Sequence, residues 1–298
     1  LTASDPDTGA SLSYSLIGNP IAGFSIATNG AWQFDPSHAA YNALAAGQTQ
    51  SITVNYRVSD ENSASSNGSF LITLTGTNDA PLATFSTPQQ AIEGASALTG
   101  QLTASDPDTG ASLSYSLIGS PIAGFTIATN GAWQFDPSHA AYNALAAGQT
   151  QSISVNYRVS DENSASSNGY FLITLTGTND APLATFSTPQ QAIEGASALT
   201  GQLTASDPDT GASLSYSLIG SPIAGFTIAT NGAWQFDPSH AAYNALAAGQ
   251  TQSISVNYRV SDENSASSNG YFLITLTGTN DAPLATFSTP QQAIEGAS

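Results

Sequence analysis

The chain of 298 residues contains no cysteine, no methionine and no lysine, and only 8% of its residues are charged. Without cysteine there can be no disulfide framework, and the compartment is left open. Three arginines against 21 acids leave a net charge of −18, which excludes a nucleic-acid binder built on clustered Lys and Arg. The same balance excludes attachment to anionic membrane surfaces. Within these residues no apolar run reaches transmembrane length and no signal-peptide pattern occurs. Three histidines in the whole chain, with no nucleophile motif, catalytic metal motif or phosphate loop beside them, offer no enzyme constellation. No initiator methionine stands at Leu1 and the ends are abrupt, so the chain is expected to be an excerpt of a longer array. Disorder is excluded by the remainder, since 40% of residues are apolar and fall in strand-like alternations.

What is present is repetition. Leu1, Leu102 and Leu203 open the same sequence, a period of 101 residues, which indicates a domain array rather than a short-repeat solenoid. The first period departs from the others only at Asn19, Ser25, Thr53 and Ser69, all polar or plausibly exposed positions. The expected domains are 1–81, lacking its first strand, then the complete repeats 82–182 and 183–283, and finally 284–298 as the first strand of a following repeat. Each boundary falls in Gly-Thr-Asn-Asp-Ala-Pro, at Gly76–Pro81, Gly177–Pro182 and Gly278–Pro283. A proline there cannot extend a sheet ladder, so the stretch reads as a hinge between domains.

Within one period, short extended pieces surround Pro88, with an edge strand expected at Gln90–Gly94. Leu98, Gly100, Leu102 and Ala104 then alternate with polar residues, as do Leu113, Tyr115 and Leu117, giving half-buried strands. Asn130-Gly131 between Phe125–Thr129 and Ala132–Phe135 predicts a hairpin with a tight I′ turn. Asp136-Pro137 followed by an alanine-rich body and Gly148 predicts one short helix with Asp136 as N-cap. Ile153, Val155, Tyr157 and Val159 form the cleanest alternation, and Tyr170–Thr176 supplies the last strand. About seven strands and one small helix in roughly 100 residues indicate an all-β, antiparallel sandwich.

The period resembles the cadherin-like domains of bacterial surface adhesins, most closely the VCBS-type extender repeats of RTX adhesins. The resemblance rests on Gly100–Asp108, Leu113-Ser-Tyr115, Ala144–Gly148, Tyr157–Asp161 and Ile173–Pro182, and covers the whole period. It implies an Ig-like sandwich whose junctions bind Ca2+ through hard oxygen ligands. Carried over residue by residue, Asn78 gives a side-chain oxygen, Ala80 a carbonyl and Asp79 a second-site ligand. Asp106 and Asp108 match the paired acids of the following domain and Asp161 its later lone acid. The next junction repeats this as Asn179, Asp180, Asp207, Asp209 and Asp262, with Glu93 serving it from the domain start. Asp5, Asp7 and Asp60 are the first-period equivalents. Three departures stand out. Gly76 and Gly177 replace an acid, Ala80 and Ala181 replace a second asparagine, and Asp-Pro-Ser replaces Asp-Arg-Glu. One or two ions per junction are expected, fewer than the three of a full cadherin linker. Carboxylates about 4 Å apart repel by roughly 4 kcal/mol at an effective dielectric of 20, so their convergence would call for a cation.

Plainer roles compete with these: turn capping for Asp106 and Asp108, edge protection for Glu93, core packing for Trp133 and Tyr157. Arg158 reads as an ion-pair partner or solvated residue, and His139 as a helix-surface residue. The functional expectation is a calcium-stiffened extender that projects a terminal adhesive domain from a bacterial cell for attachment and biofilm formation, with neighbouring repeats as its partners. The alternative is a carbohydrate- or protein-binding module, which exposure of Trp133 and Tyr170 on one face would favour. The orphan strand 284–298 further suggests end-to-end self-association.

Overall fold

The computed structural model describes residues 1–283 and 285–286. The chain divides into two compact units, Leu1–His139 with Thr150–Leu175, and Ala140–Gln149 with Thr176–Ser298. Every sheet takes its strands from a single 101-residue period. The tail strand expected at 284–298 lies outside the described residues apart from 285–286.

The third period shows why this sequence closes into a sandwich. Thr251–Ser261 and Ser267–Thr277 form a long antiparallel hairpin in which Ile254 faces Ile274 and Val256 faces Phe272. Their period-two alternation sends Val256, Tyr258, Val260, Phe272, Ile274 and Leu276 to one face, where each is essentially fully buried. Ser215–Leu218 flanks this hairpin on one side and Gln190–Ile193 on the other. The opposing sheet runs Leu199–Gln202, Ala233–Phe236, Phe226–Ile228, and Leu183–Ala184 pairs separately with Ala205–Ser206. Trp234, Phe236, Phe226 and Leu203 complete the core, with Trp234 and Phe272 at 5.2 Å between ring centroids. Each such side chain contributes roughly 1.5–3 kcal/mol by leaving water.

Local detail departs from expectation in four places. First, the helix expected from Asp136 to Gly148 shrinks to single 3-10 turns at Ala39–Tyr41, Ala140–Tyr142 and Ala241–Tyr243. Asp136 spends its carboxylate on Ser138, accepting from both N–H and Oγ, while His38 and His240 take the cap position and accept from Ala40 and Ala242. The alanine-rich body is instead tied to the end of the last strand, where Gly47 donates to the Gly76 carbonyl and Gly76 to Gln48. Second, the Asn130-Gly131 turn is not type I′. Only Gly131 has positive φ, at 84°, and Asn130 accepts from the Ala132 N–H instead. Third, the sandwich is not wholly antiparallel, because the edge strand Gln190–Ile193 runs parallel to Ser267–Thr277. Fourth, the strand through Leu98–Ala104 breaks at Leu102, whose N–H leaves the ladder for the Gly131 carbonyl.

The first period lacks a neighbour beside Trp32–Phe34 other than Phe24–Ile26 among the described residues. Trp32 is accordingly 46% exposed, against 3% for Trp133 and Trp234. Asn19, Ser25, Thr53 and Ser69 are all exposed, so the differences between periods do not reach the core.

Candidate metal centre at the repeat junctions

The Asn-Asp pairs of the first two linkers, Asn78-Asp79 and Asn179-Asp180, each meet two loops of the period that follows. Asp106 opens the first loop by accepting the N–H of Asp108 at 2.9 Å, a turn that follows directly on the strand Ala104–Ser105. The second loop is the tip of the long hairpin, where Asp161 accepts from Asn163 and Ala165 through Oδ1, both at 2.9 Å. Ser164 closes that tip at φ 73°, an unusual value for a residue with a side chain.

The linker docks onto both. Asn78 Nδ2 donates to Asp161 Oδ2 at 2.7 Å, and the Asp79 N–H to Asp108 Oδ2 at 2.9 Å. The second junction repeats the pattern, with Asn179 on Asp262 at 2.7 Å and Asp180 on Asp209 at 3.0 Å. Asp108, Asp161, Asp209 and Asp262 are all 6–7% exposed. Asp106 Oδ2, Asp108 Oδ1, Asp207 Oδ2 and Asp209 Oδ1 are buried without any hydrogen-bond partner. Burial, followed by the charges of Asp209 and Asp207, holds the Asp180 carboxyl above the usual carboxylate range. Among the described residues, no three His, Asp or Glu side chains gather closely enough to hold a metal by themselves. Any cation here would therefore also need amide, backbone or water oxygens.

In the first period Asp5, Asp7 and Asp60 keep the same turns, Asp7 donating to Asp5 and Asp60 accepting from Asn62 and Ala64. Asp5 and Asp60 line a common cavity of about 240 Å³. Glu93 is 5% exposed, as is its third-period counterpart Glu194. Glu194 sits at the far end of its own period, accepting the Thr279 N–H through Oε2 at 2.9 Å while Oε1 is buried without a partner.

The departures from the fuller ligand pattern have a steric origin at Gly76. A Cβ there would collide with the carbonyl oxygens of Leu44 and Ala45, so the position is closed to an acid. The same alanine-rich loop reaches the next period directly, since Thr109 donates to the Ala43 carbonyl at 3.2 Å and Thr210 to Ala144 at 3.1 Å. The sequence also hides the role of Asn163 and Asn264, which donate to the linker Asn78 and Asn179 at 2.6 and 2.7 Å. Their only signal is a position two residues beyond Asp161 and Asp262. The remaining candidates resolve simply. Trp133 and Tyr157 are core residues, Tyr170 is 60% exposed, and Arg158 donates through Nε to the side-chain Oδ1 of Asn168 at 3.5 Å.

Comparison with known proteins bears on the fold. The chain is similar to protocadherin gamma B2 extracellular cadherin domains 1–5, at 15% identity and a TM-score of 0.58 over 91% of this chain, and spans about half (53%) of that one. Mouse cadherin-23 EC22-24 aligns at 17% identity and a TM-score of 0.54, covering 92% of this chain and 89% of the other. Protocadherin gamma B7 extracellular cadherin domains 1–4 give 16% identity and a TM-score of 0.51, covering 92% and 68%. No curated protein sequence matches. A family model described as a bacterial Ig domain matches residues 78–174 and again 179–275, each match beginning at the linker Asn-Asp region. With more than half of its length accounted for by two tandem matches, the chain belongs to the bacterial Ig domain family, in a cadherin-like form.

Proposed function

We propose that this chain is an extracellular extender segment of a bacterial adhesin, whose repeats are held end to end by calcium at the Asn-Asp linkers. The observation that carries the reading is the set of buried carboxylate oxygens left without partners at each junction, Asp106 Oδ2 and Asp108 Oδ1 in one and Asp207 Oδ2 and Asp209 Oδ1 in the other. An ionised oxygen buried without a donor is costly, and with a charge of −18 and no lysine the chain has few cations of its own to offer. The residues that would hold the ion are Asn78, Asp79, Asp106, Asp108 and Asp161 at the first junction. Asn179, Asp180, Asp207, Asp209 and Asp262 form the second set. Bound calcium would neutralise the facing carboxylates and tie the linker to the loops of the next repeat.

The protein's own groups do the positioning. The Asp79 and Asp180 N–H groups hold Asp108 and Asp209 against the linker, and the Asp161 and Asp262 turns keep one carboxylate oxygen of each directed to the linker asparagine. Calcium favours whichever linker conformation binds it better, so it narrows the range of junction angles. Extracellular modules bind calcium at about 0.1–1 mM, a range filled outside a cell and empty in the cytosol. Near-identical repeats suit a segment that spans distance, and a cadherin-like Ig fold is ordinarily structural rather than catalytic. The outermost adhesive domain, attachment and biofilm formation belong to this same reading. Small-angle scattering of the chain in calcium and in chelator tests it: larger, better-defined dimensions with calcium are expected, and unchanged dimensions would overturn it.

A further inference from the structure

We infer that the linker asparagine and the hairpin asparagine, Asn78 with Asn163 and Asn179 with Asn264, form a two-position amide pair that bridges each junction when no cation is bound and competes with its binding. This inference rests on the calcium function proposed above. Asn78 directs Nδ2 at Asp161 Oδ2, 2.7 Å away, and at the Asp79 carbonyl, 3.0 Å away, while its Oδ1 accepts from Asn163 Nδ2 at 2.6 Å. The second junction has the same three bonds, at 2.7, 3.0 and 2.7 Å. In this arrangement the amide oxygen suited to a hard cation is turned away from Asp161 and already occupied.

An asparagine amide carries a donor and an acceptor of nearly equal shape. A half-turn of Asn78 would bring Oδ1 to face Asp161, where two oxygens repel unless a cation stands between them. The same half-turn would set Asn78 Nδ2 against Asn163 Nδ2, so turning Asn78 toward a cation costs the bond between the two amides. The pair is thus joined in a cation-free junction and parted in a loaded one. Asn163 is exposed and anchored by its own N–H on Asp161 Oδ1 at 2.9 Å, so its side chain can be removed without opening the core. It is a positioning residue, acting on the site through Asn78.

The test is the double variant N163A/N264A in the full chain, with two readouts. Titration with calcium chloride should show binding roughly two- to tenfold tighter than in the unaltered chain, because one competing hydrogen bond per junction is gone. Hydrogen exchange in chelator should be faster at the Asp79 and Asp180 amides, because the cation-free bridge is weakened. Weaker calcium binding in the variant, or affinity and exchange both unchanged, would overturn the inference. If the unaltered chain took up no calcium, the calcium function would fail. Faster exchange at Asp79 and Asp180 in the variant would in that case still uphold the cation-free bridge.

Discussion

The phenol of Tyr157 donates to the carbonyl of Phe85, 72 residues earlier, at 2.8 Å. Phe85 meanwhile packs edge-on against Phe171 at 5.1 Å. The segment just after the Asn78-Asp79 linker is therefore stitched into the sandwich that follows, and the third period repeats this with Tyr258 and Phe186. Tyr157→Phe keeps the ring and removes only the donor, leaving the Phe85 carbonyl without it. A loss of about 1–2 kcal/mol is expected for the second repeat, read as an earlier urea transition, and Tyr258→Phe should do the same to the third.

Gly100 and Trp133 face each other across antiparallel strands. A Cβ on Gly100 would lie 2.7 Å from the indole Nε1 and still closer to the ring carbons. Because Trp133 is held between Phe125 and Phe171, at 6.1 and 5.1 Å, it has nowhere to withdraw. Gly100→Ala should destabilise the second repeat by about 1–3 kcal/mol and change the near-ultraviolet signal of the tryptophan. An unaltered melt would show that the ring can shift after all.

Gly100 also shows what the sequence conveys. Alternation in Ile153–Val159 and Phe171–Leu175 places the long hairpin and the buried face directly, because period-two patterning and one-sided burial are the same fact. Asp106, Asp108 and Asp161 were legible as loop carboxylates at strand ends, and the cadherin-like resemblance brought them to Asn78-Asp79. The helix was not: Asp136-Pro137 and the alanines satisfy every local helix rule, and Asp136 even accepts the Ser138 N–H as an N-cap would, yet bonds of the Gly47–Gly76 type tie the segment to the end of the last strand. The partnership of Asn163 with Asn78 spans 85 residues, a separation over which local pattern carries no information.

Ser138 supplies a pH prediction. Its side-chain and backbone hydrogen bonds hold Asp136 below the ordinary carboxylate value of 3.8, and Ser37 and Ser239 do the same for Asp35 and Asp237. A carboxyl lowered in the folded state contributes stability above its unfolded value and loses it as pH falls through the folded one. The effect is thus confined to acid below about pH 4. Carbon-detected NMR titration should show Asp136 titrating below 3.8, and Ser138→Ala should return it toward that value while leaving Asp237 untouched.

Asp209 gives the sharpest test of the junction chemistry, because its two oxygens have different fates. Oδ2 accepts the Asp180 N–H at 3.0 Å, while Oδ1 is buried without a partner. In Asp209→Asn the amide oxygen can keep the first bond and the negative charge disappears. Without calcium the variant should be no less stable than the unaltered chain, since one of the two charges that, after burial, raise the Asp180 carboxyl is gone. With calcium the order should reverse. At ten times its dissociation constant a bound ion adds about 1.4 kcal/mol, worth roughly 5–10 °C in the melting temperature of a domain this size, and the variant should forfeit that gain at the second junction alone. Asp108→Asn should forfeit it at the first. Calorimetric scans in chelator and in calcium, on the unaltered chain and each variant, decide the matter. A variant that gains as much from calcium as the unaltered chain would remove Asp209 from the ligand set.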